Sequence, residues 1–189
     1  MNLITVLGNK EQMGLSNELC EKLISMATGE KHKGEVYSQN QQIKTDTKTR
    51  TVDVWAIPRY EQSNDIYGHI LQRMIEACKG AGWEFEINHM ETLQLLKYSK
   101  DAFYDWHMDI EPEADQKSQR KLSVTILLNN PNEFKGGELE LKLGDENLKA
   151  ELAKGSMAFF PSFSLHRITK VTEGTRWAAV AWFRGPRFR

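Results

Sequence analysis

After Thr92 the chain breaks into short β-rich runs that are too brief and too often interrupted to be helices. Thr92–Tyr98, Leu122–Leu128, Glu138–Leu143, Met157–Phe160 and Arg176–Phe183 carry the hydrophobic residues. Pro131, Gly136-Gly137, Gly144, Gly155, Pro161 and Gly174 fall in the gaps. Glycine and proline supply turns between strands, so this half reads as a set of antiparallel strands. Many short strands bury their edges best by pairing into two packed sheets, which points to a mainly β fold with a double-stranded β-helix, or jelly-roll, core.

The first half has a different rhythm. Leu15, Leu19, Leu23 and Ile24 recur at helical spacing after a start signal at Ser16 or Asn17, with Gly29 placed to stop the helix. Ile66, Ile70, Leu71, Met74, Ile75 and Cys78 form a second helical stripe ending at Gly80 and Gly82. Between them Val52, Val54 and Ala56 alternate with Asp53 and Trp55 before Pro58, as in a strand. The polar stretch Gly29 to Arg50, with Gln39-Asn40-Gln41-Gln42 inside it, reads as a long surface loop or arm. Two or more helices therefore cover the jelly roll. With no repeat and no linker in view, residues 1–189 read as one domain, in which 1–90 support a catalytic core at 91–185.

Composition narrows the function. Of 189 residues, 40% are hydrophobic and 27% charged, and 25 Lys+Arg balance 26 Asp+Glu to a net charge of -1. Disordered and collagen-like chains are excluded, and no basic surplus invites nucleic acid or an acidic membrane. No apolar run approaches the ~18 residues of a membrane helix. Met1 to Lys10 lacks the basic-then-apolar pattern of a secretory signal, so a cytoplasmic location is expected. Cys20 and Cys78 both fall in helical stretches without metal-type spacing and read as reduced, half-buried thiols.

The candidate chemistry centres on His107-Met108-Asp109. On a strand, side chains two residues apart leave the same face and can reach one ion. Alone, such a pair is common. His166 strengthens it, because it closes the β-rich stretch Lys154 to Leu165 and is followed by Arg176 at the start of the last long strand. Two histidines and a carboxylate on one face of a cation leave positions open for a cosubstrate and dioxygen, as non-haem Fe(II) requires. A catalytic zinc accepts the same ligands, but it gives Arg176 no task and needs a general base that the sequence does not identify. If the cosubstrate is 2-oxoglutarate, the guanidinium fork of Arg176 can grip its distal carboxylate.

Three longer segments carry a family resemblance. Leu93 to Tyr98 with Phe103-Tyr104-Asp105-Trp106-His107-Met108-Asp109 resembles the tyrosine and His-x-Asp segment of the Fe(II)/2-oxoglutarate-dependent prolyl 4-hydroxylase-like oxygenases. Arg120 to Pro131 and Phe134-Lys135-Gly136-Gly137-Glu138-Leu139 resemble the central strand and Gly-Gly-Glu turn of the bacterial and phage PKHD-type hydroxylases. Phe160-Pro161-Ser162 and Leu165-His166-Arg167, followed by Val171, Gly174, Arg176 and Trp182, continue the match in order.

The resemblance implies iron ligands His107, Asp109 and His166, and Arg176 on the distal carboxylate of 2-oxoglutarate. Tyr98 and Tyr104 match the two tyrosines before the metal motif, Trp182 matches an aromatic wall of the site, and Thr125 points into the barrel in some relatives. For Trp182, core packing is nearly as good a reading, while Trp55, Trp83 and Trp177 read as core or rim aromatics. The implied cofactors are Fe(II), 2-oxoglutarate and O2, with ascorbate as a candidate accessory. The implied reaction hydroxylates an unactivated C–H bond, in the manner of procollagen-proline 4-dioxygenase, on a prolyl or other side chain of a peptide or protein. Hydroxylation of a free small molecule and a non-catalytic ligand-binding jelly roll remain as alternatives. Glu111 to Lys121 and the Gly29 to Arg50 arm are candidate lids. Relatives of this type generally continue several tens of residues past the last strand, so a cap is expected to be missing after Arg189.

Overall fold

A computed structural model describes residues 3–8, 13–33, 35–37, 43–45, 48–110 and 118–188. Helix α1 spans Asn17–Ser25, with the Ser16 hydroxyl accepting from the Leu19 N–H at 3.2 Å. It ends short of Gly29, the expected stop. Helix α2 spans Asn64–Ala81 and is closed by Gly82, whose left-handed backbone (φ 69°) lets its N–H reach the Cys78 and Lys79 carbonyls. Ile66, Ile70, Met74 and Ala77 form its buried stripe.

Both helices lie on one face of an antiparallel sheet. Its strands run in the order Thr5–Leu7, Met157–Pro161, Gln119–Leu127, Arg176–Gly185, Leu93–Tyr98, Asp53–Ile57 and His32–Lys33, with His89–Met90 also pairing to Arg176–Gly185. A second antiparallel sheet has the order Glu146–Lys149, Leu139–Leu143, His166–Ile168, Phe103–His107 and Arg50–Thr51. The mainly β, jelly-roll expectation holds.

Period-2 alternation explains how the layers separate. Leu93, Leu95, Leu122, Val124, Ile126, Phe159, Ala179, Ala181 and Phe183 join the α1 and α2 side chains in one core. Leu96, Tyr98, Ala158, Phe160 and Ala178, from the opposite face of the same strands, meet Leu139, Leu141 and Ile168 of the second sheet. The inter-sheet space is where the candidate site lies.

Some local expectations are corrected. The Gly29 to Arg50 arm contains short strands: His32–Lys33 pairs with Asp53 and Val54, and Glu35–Tyr37 pairs with Ile43–Thr45. Lys31 and Lys33 both bind the Asp53 carboxylate, at 2.8 and 2.6 Å, so edge pairing and charge order a segment with no apolar period. Residues 34, 38–42 and 46–47 of that arm, and 111–117 of the other candidate lid, lie outside the described residues. Cys20 is fully buried rather than half-buried, Cys78 is half-buried, and both are free thiols. Trp55 and Trp83 are core residues and Trp177 packs beside them. Among the described residues no helix is long and apolar enough to cross a membrane.

Candidate active site

His107 is the last residue of its strand, and Asp109 lies beyond the strand's end. The sequence expectation that both share a strand face is therefore corrected: a turn carries the carboxylate. That turn is strapped to the loop before His166, because the N–H groups of Asp109 and Ile110 both donate to the Ser162 carbonyl at 2.9 Å. His166 opens the strand His166–Ile168 rather than closing the preceding stretch, and pairs directly with His107.

These constraints bring the three side chains together. Asp109 Oδ1 is 3.6 Å from His107 Nε2, Asp109 Oδ2 is 3.5 Å from His166 Nε2, and one ligand atom from each residue lies within 4.8 Å of the others. His107 Nδ1 faces the Asp105 carbonyl at 2.7 Å, and His166 Nδ1 faces the Ser164 carbonyl at 2.9 Å. A ring nitrogen against a carbonyl must carry the proton, so in the neutral ring Nε2 is the atom that offers its lone pair to the common centre.

Electrostatics fit a cation there. Burial, with the neighbouring His166, pushes His107 down to about 3, so its imidazole is neutral and free to act as a ligand. Burial alone would raise Asp109, but the two histidines and the hydrogen bond from Ser123 outweigh it and hold the carboxyl below its usual value. The Ser123 hydroxyl donates to Asp109 Oδ2 at 2.7 Å. A carboxylate and two imidazoles, each oriented from behind, can hold a divalent transition metal.

Tyr98, Tyr104, Thr125, Phe160 and Trp182 wall the cavity that contains the three residues. Tyr104 stacks on His107 with ring centroids 3.4 Å apart, and burial raises its hydroxyl to about 12, so it remains a neutral phenol. Trp182 is buried, and its ring borders the cavity.

Arg176 occupies the adjoining cleft beside Gly137, Glu138 and Leu152, and Leu139 borders both spaces. It pairs in register with Tyr98, and its guanidinium carbon is 5.4 Å from that ring's centre. Only 2% of Arg176 is exposed, and Nη1 and Nη2 have no hydrogen-bond partner among the described residues. Burial lowers its pKa, yet a guanidinium stays charged, so the site holds an unpaired cation with two donors suited to a carboxylate. Gly137 makes room for it. With φ at 67°, a Cβ there would stand 2.9 Å from Arg176 Cδ.

Sequence reasoning missed Arg50, Ser123 and Arg120. Arg50 is buried, borders the cavity and lies over the Tyr104 ring at 4.5 Å, but it sits far from the motif and nothing in its local sequence marks it. Ser123 did leave a signal: with Thr125 it interrupts an apolar run at period 2, which marks a polar face. Arg120 approaches the site through a bulge between Arg120 and Leu122, which puts it on the same side as Ser123 despite the odd spacing.

The fold and the facing histidines and carboxylate define a jelly-roll protein with a metal-binding mouth. Residues 93–184 match the family model of the 2OG-Fe(II) oxygenase superfamily. Its cofactors are Fe(II), 2-oxoglutarate and O2, for which the three ligands and the unpaired Arg176 are chemically suited. A PKHD-type hydroxylase of Picosynechococcus is 36% identical over 93 residues, covering 49% of this chain and 42% of that protein. One of Acidovorax ebreus is 40% identical over 91 residues, covering 46% and 40%. The match thus spans about two fifths of these curated relatives. Among solved structures, a Pseudomonas putida prolyl-4-hydroxylase superposes with TM-score 0.73 at 17% identity, covering 98% of this chain and 94% of that one. A Trichoplax adhaerens prolyl hydroxylase, solved with a hypoxia inducible factor peptide fragment, gives 0.74 at 17% identity, covering 96% and 83%. At such identities the likeness establishes the fold.

Proposed function

We propose that the protein is an Fe(II)- and 2-oxoglutarate-dependent dioxygenase that hydroxylates an unactivated C–H bond of a prolyl or other side chain in a peptide or protein. Succinate and carbon dioxide are the co-products, and the cytoplasm is the place of action. The observation that carries this reading is Arg176, a buried guanidinium with two unpartnered nitrogens beside the triad cavity. A zinc hydrolase or an inert jelly roll gives that charge no purpose.

In this reading the iron, once bound, supplies the oxidising chemistry, and the chain supplies placement. His107 and His166 hold the metal through Nε2, and Asp109 neutralises part of its charge. Arg176 takes the distal carboxylate of 2-oxoglutarate in its fork while the keto-acid end reaches the metal. Tyr98, Thr125 and Trp182 wall the site, and its apolar lining keeps bulk water away. The peptide as substrate is supported by the Trichoplax neighbour, which was solved with a peptide, and by the prolyl hydroxylase names of the others.

The test incubates metal-stripped protein with Fe(II), ascorbate and labelled 2-oxoglutarate in air, with and without proline-rich peptides. Succinate formation that needs iron and is lost in His166→Ala, with a sharply raised 2-oxoglutarate requirement in Arg176→Ala, is the expected result. Stimulation by peptides supports a polypeptide substrate, and turnover indifferent to them points to a small molecule. Absence of both turnover and 2-oxoglutarate binding by calorimetry overturns the proposal.

A further inference from the structure

We propose that Glu91 is a positioning residue for the metal site: it clamps Arg120 against the Trp182 ring and the Asp109 carbonyl, and so holds the segment that carries the Asp109 carboxylate. The proposal rests on the reading of Asp109 as a metal ligand.

Glu91 lies just past the short strand His89–Met90, outside the cavity. Its backbone N–H donates to the Trp182 carbonyl at 2.8 Å, which places its side chain beside that residue. Oε1 accepts from Arg120 Nε at 2.8 Å and Oε2 from Arg120 Nη2 at 2.7 Å. Oε1 also accepts from Arg184 Nη1 at 2.8 Å. A two-pronged contact fixes the plane of a guanidinium as well as its position.

That plane is directed at a target. The Arg120 guanidinium carbon stands 3.9 Å from the centre of the Trp182 ring, within range of a strong cation–π contact. An indole turns about two side-chain bonds, and a flat cation held on its face selects one orientation. The same guanidinium reaches Asp109 itself: Arg120 Nη1 donates to the Asp109 carbonyl at 3.5 Å, while the Asp109 carboxylate takes the Ser123 hydroxyl. Asp109 is therefore oriented by two donors, one fixed by its own strand and one fixed through Glu91.

The charge pattern also needs explaining. Arg120 and Arg184 are direct register partners, with side chains only 15% and 16% exposed. Like charges placed opposite each other destabilise a sheet, and Glu91 is the anion between them. A mere staple would account for Arg184, which Ser118 also holds, but not for Arg120, which stacks on Trp182 and reaches the Asp109 carbonyl.

Co(II) titration of the metal-stripped full-length chain, read by absorbance alongside tryptophan fluorescence and melting temperature, tests the idea. Glu91→Gln is expected to weaken Co(II) binding about tenfold and to shift the fluorescence, the range found when a ligand loses its outer partner. Arg120→Gln is expected to match it, and the double variant to be no weaker than either. Arg184→Gln, which disturbs the same carboxylate without touching Trp182, is expected to lower only the melting temperature. If Glu91→Gln does not fold, Arg120→Lys keeps the charge, loses the flat stack and carries the same expectation. Co(II) affinity within twofold of wild type in Glu91→Gln or Arg120→Lys overturns the proposal. A wild-type chain that takes up no Co(II) is a separate failure, that of the metal-site reading itself.

Discussion

The strand Arg176–Gly185 has two unlike faces. Ala179, Ala181 and Phe183 point to α1 and α2 in a core built of apolar side chains, while Arg176, Ala178 and Trp182 look toward the second sheet and the site. The helix side holds the fold together, each fully buried large side chain contributing about 1.5–3 kcal/mol. The other side tolerates a buried unpaired arginine and a triad of polar ligands. Stability and chemistry are thus separated by the thickness of one backbone, and shared strands transmit the rigidity of the first to the second.

Substitutions on opposite faces test that division most directly. His166→Ala is expected to weaken Co(II) binding by more than about 100-fold, beyond the loss of an outer partner, with little change in melting temperature. Phe159→Ala, on the helix side, is expected to cost about 3–5 kcal/mol, a fall on the order of 10 °C, while the residual folded protein still binds metal. Equal melting losses for both, by calorimetry, would break the comparison.

Arg176→Met sharpens it. Removing a buried, unpaired charge is expected to raise the melting temperature by a few degrees while 2-oxoglutarate binding falls about 100-fold by calorimetry. A destabilised variant would show that the arginine is paired in the ligand-free protein.

On the helix side a charge should be rejected outright. Burial, opposed weakly by Lys154, pushes the Cys20 thiol from 9.0 up to about 11. The unfolded thiol ionises first, so stability is complete below pH 9 and declines as pH rises toward 11, by about 2–3 kcal/mol in all. The difference between wild type and Cys20→Ala in alkaline urea melts isolates this effect. The smallest expected effect is Gly137→Ala, about 1–2 kcal/mol from its left-handed backbone, accompanied by weaker 2-oxoglutarate binding because Arg176 Cδ must move.

Much of this division was legible in the sequence. Period-2 runs located the long strands, and His107, Asp109 and His166, singled out by their spacing, do converge in the structure. What escaped depends on partners far along the chain. His32–Lys33 is too short to show a period and exists because Asp53 and Val54 offer an edge and a charge. Glu91 looks like an ordinary strand-flanking acid until Arg120 and Arg184 meet on it. Asp109 was read as strand because a turn that keeps a carboxylate in place leaves no pattern when its anchor, the Ser162 carbonyl, lies in another loop.

The bulge at Arg120 and Leu122 constrains how this domain can change length. Elsewhere in the sheet a single inserted or deleted residue would exchange inward and outward side chains along the rest of the strand, delivering Arg176 to the helices or Phe183 to the metal. At the bulge the chain has already absorbed one such step, and its outcome is useful, since it turns Arg120 toward Trp182. Descendants of this sequence are therefore expected to vary freely in their loops, to alter their strands only by pairs of residues, and to keep or lose the extra residue at Lys121 together with Arg120 and Glu91.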